Sequence, residues 1–240
     1  MRLPTVQGLI RRRILANFRV DPEVFQHLIP SRFTPKLHNG FAIAGVCLIR
    51  LEEIRPKSIP AFAGVSSENA AHRFAVQWDE DGLNREGVFI SRRDTSSRLN
   101  QALGGRFFPG EHHHARFDVT DDGPEIHFSM RSADDRVTLE LEANAATGLP
   151  SDSIFKSLEE SSNFFEGGSV GYSVTAENDR LDGLKLETKD WHVEPLDVRR
   201  LASSFFEDTQ NFPEGSAQFD HALIMRNVAH EWRSIDDLYV

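Results

Sequence analysis

The chain predicts a mostly β fold of the α+β class: one closed or strongly curved antiparallel sheet with a few short helices. Three observations carry this. Short runs that alternate apolar and polar residues, or are apolar throughout, recur along its 240 residues. Turn-forming clusters (DEDGLN, TDDGP, SADD, ENDRLDG) separate several of those runs. Segments with helical start and stop signals are few and short.

Taken in order, LIRRRILANFRV alternates as a strand does, with Arg11 and Arg13 on one face and Arg12 on the other. DPEVFQHLI opens a helix, because Asp21 can cap it and Pro22 fits its first position. FAIAGVCLIRL, Phe41 to Leu51, is apolar at nearly every position and predicts a strand buried on both faces. Cys47 lies inside it and reads as an inert core thiol. RFAVQW and GVFISRR follow as strands, then DTSSRLNQAL as a helix ending at Gly104-Gly105. HARFDV, EIHFSMR and RVTLELEA predict a meander, and SDSIFKSLEESSNFFEGG a helix that stops at glycine. SVGYSVTA, GLKLETKDWHV and FDHALIMRNV complete the strands. No linker composition divides the chain, so one domain over residues 1–240 is expected.

Composition narrows the function classes. Hydrophobic residues at 39% and charged residues at 27% are those of an ordinary soluble globular protein. A net charge of −10 with no basic tail argues against nucleic-acid binding. No apolar run reaches the roughly 18 residues of a membrane span. The N-terminus has arginines among its apolar residues, unlike a signal peptide. One cysteine leaves no internal disulfide framework. A cytoplasmic location is expected by default.

The run EHHHARFDV, Glu111 to Val119, invites a metal reading. On a strand, His112, His114, Arg116 and Asp118 share one face, and His113, Ala115, Phe117 and Val119 the other. A hairpin turn at Asp122-Gly123 would set Asp118 opposite His127, and a second at Ala133-Asp134 would set His127 opposite Glu140. Two histidines need a third ligand, and a metal there must tolerate Arg116 and Arg131. A solvated or subunit-contacting face is therefore preferred, then a polar pocket wall, with metal binding through His112 and His114 the minor alternative.

Neither a phosphate loop nor a nucleophile elbow, zincin motif or dinucleotide fingerprint is found, so no cofactor is expected. An inward arginine in RRR is either paired with a carboxylate, the commoner case, or placed to bind an anion. Glu68 is a candidate partner or general acid/base, although a glutamate so placed is more often a solvated loop carboxylate, and the same caution applies to Arg73, Arg92 and Arg93. Phe205, Phe206 and Phe212 bracket a polar loop and read as its anchor rather than a lid.

RRRILANFRVDPEVFQHLIP, SENAAHRFAVQW with EGVFISRRDTSSRLNQALGGRFFPGEHHHARF, and the later FFEGGSVGYS and FFEDTQNFPEG together resemble the acetoacetate decarboxylase-like superfamily, more closely its YqjF-like branch. The resemblance covers most of the chain and implies an antiparallel β-cone with flanking helices, an internal pocket and a homo-oligomer. It places Arg11 at the family's substrate-binding arginine and Glu68 at the glutamate near its catalytic lysine. Decarboxylases of this family carry a lysine pair where this chain reads Pro109-Gly110-Glu111. None of Lys36, Lys57, Lys156, Lys185 and Lys189 matches that position. The expectation is a protein that binds a small anionic organic molecule through Arg11, with Glu68 and Arg73 nearby, and without Schiff-base chemistry. The alternatives are a lysine-independent isomerase, hydratase or lactonase using Glu68 and Arg11, a metal-dependent enzyme, and an assembly protein with a vestigial pocket.

Overall fold

The computed structural model describes residues 5–103, 109–121, 123–177 and 179–239. Its strands, in chain order, are β1 (Val6–Val20), β2 (Thr34–Pro35), β3 (Leu37–His38), β4 (Phe41–Pro56), β5 (Val65–Glu80), β6 (Leu83–Thr95), β7 (His112–Thr120), β8 (Glu125–Ser132), β9 (Thr138–Ala145), β10 (Val170–Val174), β11 (Arg180–Thr188), β12 (Glu194–Ser203), β13 (Ala217–Ser234) and β14 (Leu238–Tyr239). The helices are α1 (Pro22–Leu28), α2 (Arg98–Leu103) and α3 (Leu158–Glu166). Asp21 caps α1, its Oδ1 accepting from the N–H groups of Glu23 and Val24.

The mostly β expectation holds, and the pairing shows how the sheet closes. Strands β13, β1, β4, β5 and β6 form one antiparallel wall. Both outer strands of this wall fork. The free edge of β6 carries β10 along Val88–Ile90 and β7 along Arg93–Thr95, both parallel. The free edge of β13 carries β12 along Ala222–Ile224 and β11 along Trp232 and its neighbours. Two closed rings result. One runs through β7, β8, β9 and β12, the other through β10 and β11, and the wall is common to both.

Side-chain alternation gives each ring its own face of the wall. Ile14, Ala16, Val46, Leu48, Ala70 and Ile224 face the first ring, where Phe128, Met130, Leu139 and Leu141 fill the interior. Leu15, Cys47, Ile49 and Met225 face the other side. This explains why β4 is buried at every position from Ala42 to Ile49: it is covered on both faces.

Several details differ from expectation. Strand β12 was not evident in EPLDVRRLAS, because its buried positions do not alternate. Helix α3 begins only at Leu158, the preceding residues forming turns. The meander register is offset by two residues, with Thr120 opposite His127 and His127 opposite Glu142. An even offset keeps every side chain on its expected face. The turn at Asp122-Gly123 includes Asp122, which lies outside the described residues. Phe206 and Phe212 are buried, and Phe206 stacks on Phe18 at 3.9 Å, so the 205–212 loop is anchored to the core. Among the described residues, no helix is long and apolar enough to cross a membrane.

Candidate functional site

A cavity of about 140 Å³ lies on the second face of the wall. Arg13, Cys47, Asn69, Ala71, Arg73 and Arg93 reach it from the wall, joined by Asn100, Pro109, His112 and, from β10 and β11, Gly171, Leu184 and Leu186. A volume near 150 Å³ accommodates a molecule about the size of benzene.

Two irregularities decide which arginines enter. In β1, Ile10 pairs with Leu51 and Arg12 with Arg50, leaving Arg11 as an extra residue. This bulge puts Ile10 on the cavity side and turns Arg11 outward. Arg11 is exposed, its Nη1 donating to Asn227 Oδ1 at 2.7 Å. In β6, Arg92 pairs with His72 and Ile90 with Arg73, leaving Ser91 extra. Ile90 and Arg93 therefore share the cavity face, while Arg92 turns to the other side and binds Asp94 and Asp134.

The three cavity arginines are held by neutral groups. Arg13 Nε donates to Cys47 Sγ at 3.2 Å, and Arg93 Nε to Ser173 Oγ at 3.0 Å. Arg73 Nη2 donates to Asn17 Oδ1 at 2.5 Å, and its guanidinium lies 4.9 Å from the Phe165 ring centroid. Among the described residues, none of the three has a carboxylate within ion-pair distance. Burial pushes the Arg73 guanidinium down to about 10, with Cys47 opposing and Arg13 adding to the shift. Burial likewise brings Arg93 to about 10, against Cys47 and Asp182. Both remain cationic at neutral pH.

Arg73 is fixed from behind by a buried chain that no sequence motif announces. Asn17 Nδ2 lies 3.3 Å from His221 Nε2, which also meets Ser161 Oγ at 2.7 Å. His221 Nδ1 contacts Asp220 Oδ2 at 2.6 Å. With Nδ1 donating to the carboxylate, Nε2 is the acceptor. Ser161 and His221 are fully buried, so this serine–histidine–aspartate array supports Arg73 and offers no nucleophile to a ligand.

Glu68 lies apart from the cavity. It faces the filled ring, where Arg12 donates Nη2 to Glu68 Oε2 at 2.5 Å and Nη1 to Asp121 Oδ2 at 2.8 Å. Burial raises the Glu68 carboxyl above its usual range, opposed by Arg12. Of Arg11, Glu68 and Arg73, only Arg73 lines the cavity, and the first two do not meet. Arg13, rather than Arg11, is the β1 arginine that lines the cavity.

His112 lines the cavity and pairs with Arg93 in the ladder, whereas His114 is not among the lining residues. Burial, with Arg93 and His113 beside it, pulls His112 down to about 3, so its ring is neutral. Among the described residues, no group of three or more His, Cys, Asp or Glu is placed to hold a metal ion. Gly110 has φ +83° and its N–H donates to Asp182 Oδ2 at 2.9 Å. A Cβ there would lie 2.5 Å from Ser173 Cβ. Glu111 beside it is exposed.

The chain matches the family DUF2071, described as "Uncharacterized conserved protein (COG2071)", over residues 9–228. No curated protein matches it. Acetoacetate decarboxylase from Legionella pneumophila has a similar structure, with TM-score 0.62 and 11% identity over 99% of this chain and 88% of that one. An acetoacetate decarboxylase-like enzyme from Sphingomonas wittichii RW1 gives 0.58 and 12% over 98% and 92%. The enduracididine biosynthesis enzyme MppR, solved with pyruvate, gives 0.58 and 9% over 98% and 89%. The chain belongs to the DUF2071 family, a YqjF-like branch built on the acetoacetate decarboxylase-like fold.

Proposed function

We propose that this protein binds a small organic anion in the wall cavity and does so without forming an imine. The observation that carries this is the convergence of Arg13, Arg73 and Arg93 on one cavity with no carboxylate in ion-pair range among the described residues, the lining carboxylate of Asp94 being bound to Arg92. Buried cations are ordinarily paired, and a set left unpaired is a ready receptor for carboxylate. The cavity volume and the apolar side chains of Ile49, Ile90, Leu184 and Leu186 suit a short carbon skeleton carrying one acid group. One structural neighbour was solved with pyruvate, so short oxo and hydroxy acids are the first ligands to test.

The imine-free part rests on the lysines. All five fall within the described residues, and none lines the main cavity. Lys36 borders a smaller adjoining cavity, but its Nζ is tied to Glu86 at 2.8 Å and to the Phe164 carbonyl at 3.2 Å.

A thermal-shift screen of acetate, lactate and pyruvate tests the binding. Stabilisation is expected for the wild type and is lost in Arg73→Gln and Arg93→Gln. No stabilisation by any short carboxylate would end this reading. Borohydride reduction with acetoacetate tests the chemistry: a mass increase on any lysine overturns the imine-free mechanism.

A further inference from the structure

Cys47, the sole cysteine of the chain, stands in the middle of the arginine cluster. One row across the sheet runs Cys47, Ala71, Arg93, His112, each residue paired with the next. Ala71 contributes only a methyl group between the thiol and Arg93. Arg73 pairs with Gly45 and Arg13 with Ile49, so both arginines are diagonal neighbours of Cys47 on the same face. Gly45 has no side chain, and a Cβ there would run into Ala16 O. The small residues around Cys47 are what leave the cavity open above the sulfur.

The same cavity holds buried polar atoms that lack partners. Asn100 is 8% exposed and Arg73 is 4% exposed, yet Asn100 Oδ1 and Arg73 Nε have no hydrogen-bond partner among the described residues. His112 Nδ1 is likewise unpaired. These groups leave donor and acceptor capacity on the cavity wall that a polar guest can satisfy.

We propose that Cys47 is a nucleophile that adds reversibly to the carbonyl carbon of a 2-oxo acid held by the cavity arginines. This rests on the anion-binding reading above. In the step, a bond forms between Sγ and the carbonyl carbon while the C=O π bond opens. The thiol proton ends on the former carbonyl oxygen, giving a neutral hemithioketal hydroxyl. Nothing else is consumed. One guanidinium receives the carboxylate, and a second faces the oxygen that gains charge as the bond forms. The thiol thus supplies an electrophile-binding role in a cavity that has no lysine.

Because the chain has one cysteine, labelling reads directly as intact mass. Native protein is treated with iodoacetate and, separately, with iodoacetamide. Ordinary thiols favour the amide. Here the acid is expected to react faster by about tenfold or more, the least that one charge-assisted hydrogen bond contributes. In parallel, [2-13C]pyruvate is expected to give a hemithioketal carbon signal in the wild type and none in Cys47→Ala. If lactate and pyruvate both stabilise the protein, but no adduct signal appears and iodoacetate has no advantage, Cys47 is not the nucleophile and anion binding stands. If neither acid stabilises the protein and no adduct forms, both ideas fall. Should Cys47→Ala not fold, the wild-type reagent ratio still decides.

Discussion

The two faces of the shared wall both bury arginine, in opposite circumstances. On the filled face, Arg12 sits between Glu68 and Asp121, and Arg92 between Asp94 and Asp134. Apolar side chains, Phe128 and Met130 among them, pack the rest of that interior. On the other face, Arg13, Arg73 and Arg93 meet a thiol, a hydroxyl and an amide around a void. Paired arginines closing a packed ring are structural. Unpaired ones facing a void lower stability unless something of opposite charge arrives. One face of the sheet therefore neutralises its arginines within the protein, and the other leaves them facing a cavity.

The greatest loss of stability is expected on the filled face. Arg12→Leu leaves Glu68 and Asp121 without their shared cation and is expected to destabilise the fold by about 3–5 kcal/mol. Urea unfolding measures this, and a loss under about 1 kcal/mol would remove the structural role assigned to that pair.

Acid is expected to act next most strongly, through buried imidazoles on both faces. His72, stacked on Phe205 at 4.2 Å, is pulled down to about 3 by burial and by Arg92. Its ring nitrogens have no partners among the described residues. Between its ordinary 6.5 and that value, the unfolded chain binds a proton that the native state does not. Its share of stability is therefore complete above about pH 6.5 and is lost as pH falls, by roughly 1.4 kcal/mol per pH unit. His112 behaves alike, and His230, pulled to about 4 by burial, does so over a narrower window. His72→Phe is expected to move the acid-unfolding midpoint down. An unchanged midpoint would show that the buried imidazole carries none of the effect.

A third substitution probes the absent lysine. Gly110→Lys requires a left-handed backbone and a Cβ against Ser173, so it is expected to cost about 2 kcal/mol and to gain no borohydride-trappable adduct. Trapping on the new lysine would mean that the loop can reshape around it.

The smallest stability effect belongs to the cavity. Arg93→Gln removes an unpaired cation and is expected to change stability by less than about 1 kcal/mol while weakening carboxylate binding about tenfold or more. Loss of stability comparable to that of Arg12→Leu would erase the distinction between the two faces.

Much of the fold was legible because period-two alternation survives local error. The meander register slipped by two residues, yet His113, Ala115 and Phe117 kept their side, since parity depends on the pattern and pairing on loop length. Strand β12 lacked that pattern and was missed. The site was less legible. That RRR turns an arginine into the sheet interior was readable, but which arginine reaches the cavity was not, because a single extra residue at Arg11 exchanges the faces. The bulge at Ser91 does the same between Arg92 and Arg93. His112 was placed on a face expected to be wet. That face becomes a cavity wall where β10 and β11 cover it.

The residues read along the chain specify a β-rich protein, the family pattern, the lack of a lysine at 109–111 and an excess of arginine on two wall strands. That the sheet closes twice, that bulges sort the arginines and that Cys47 borders a cavity follow from long-range pairing. Alternation and turn chemistry are local and can be read along the chain. The fate of a buried charge depends on which distant strand faces it, and only the closed sheet fixes that.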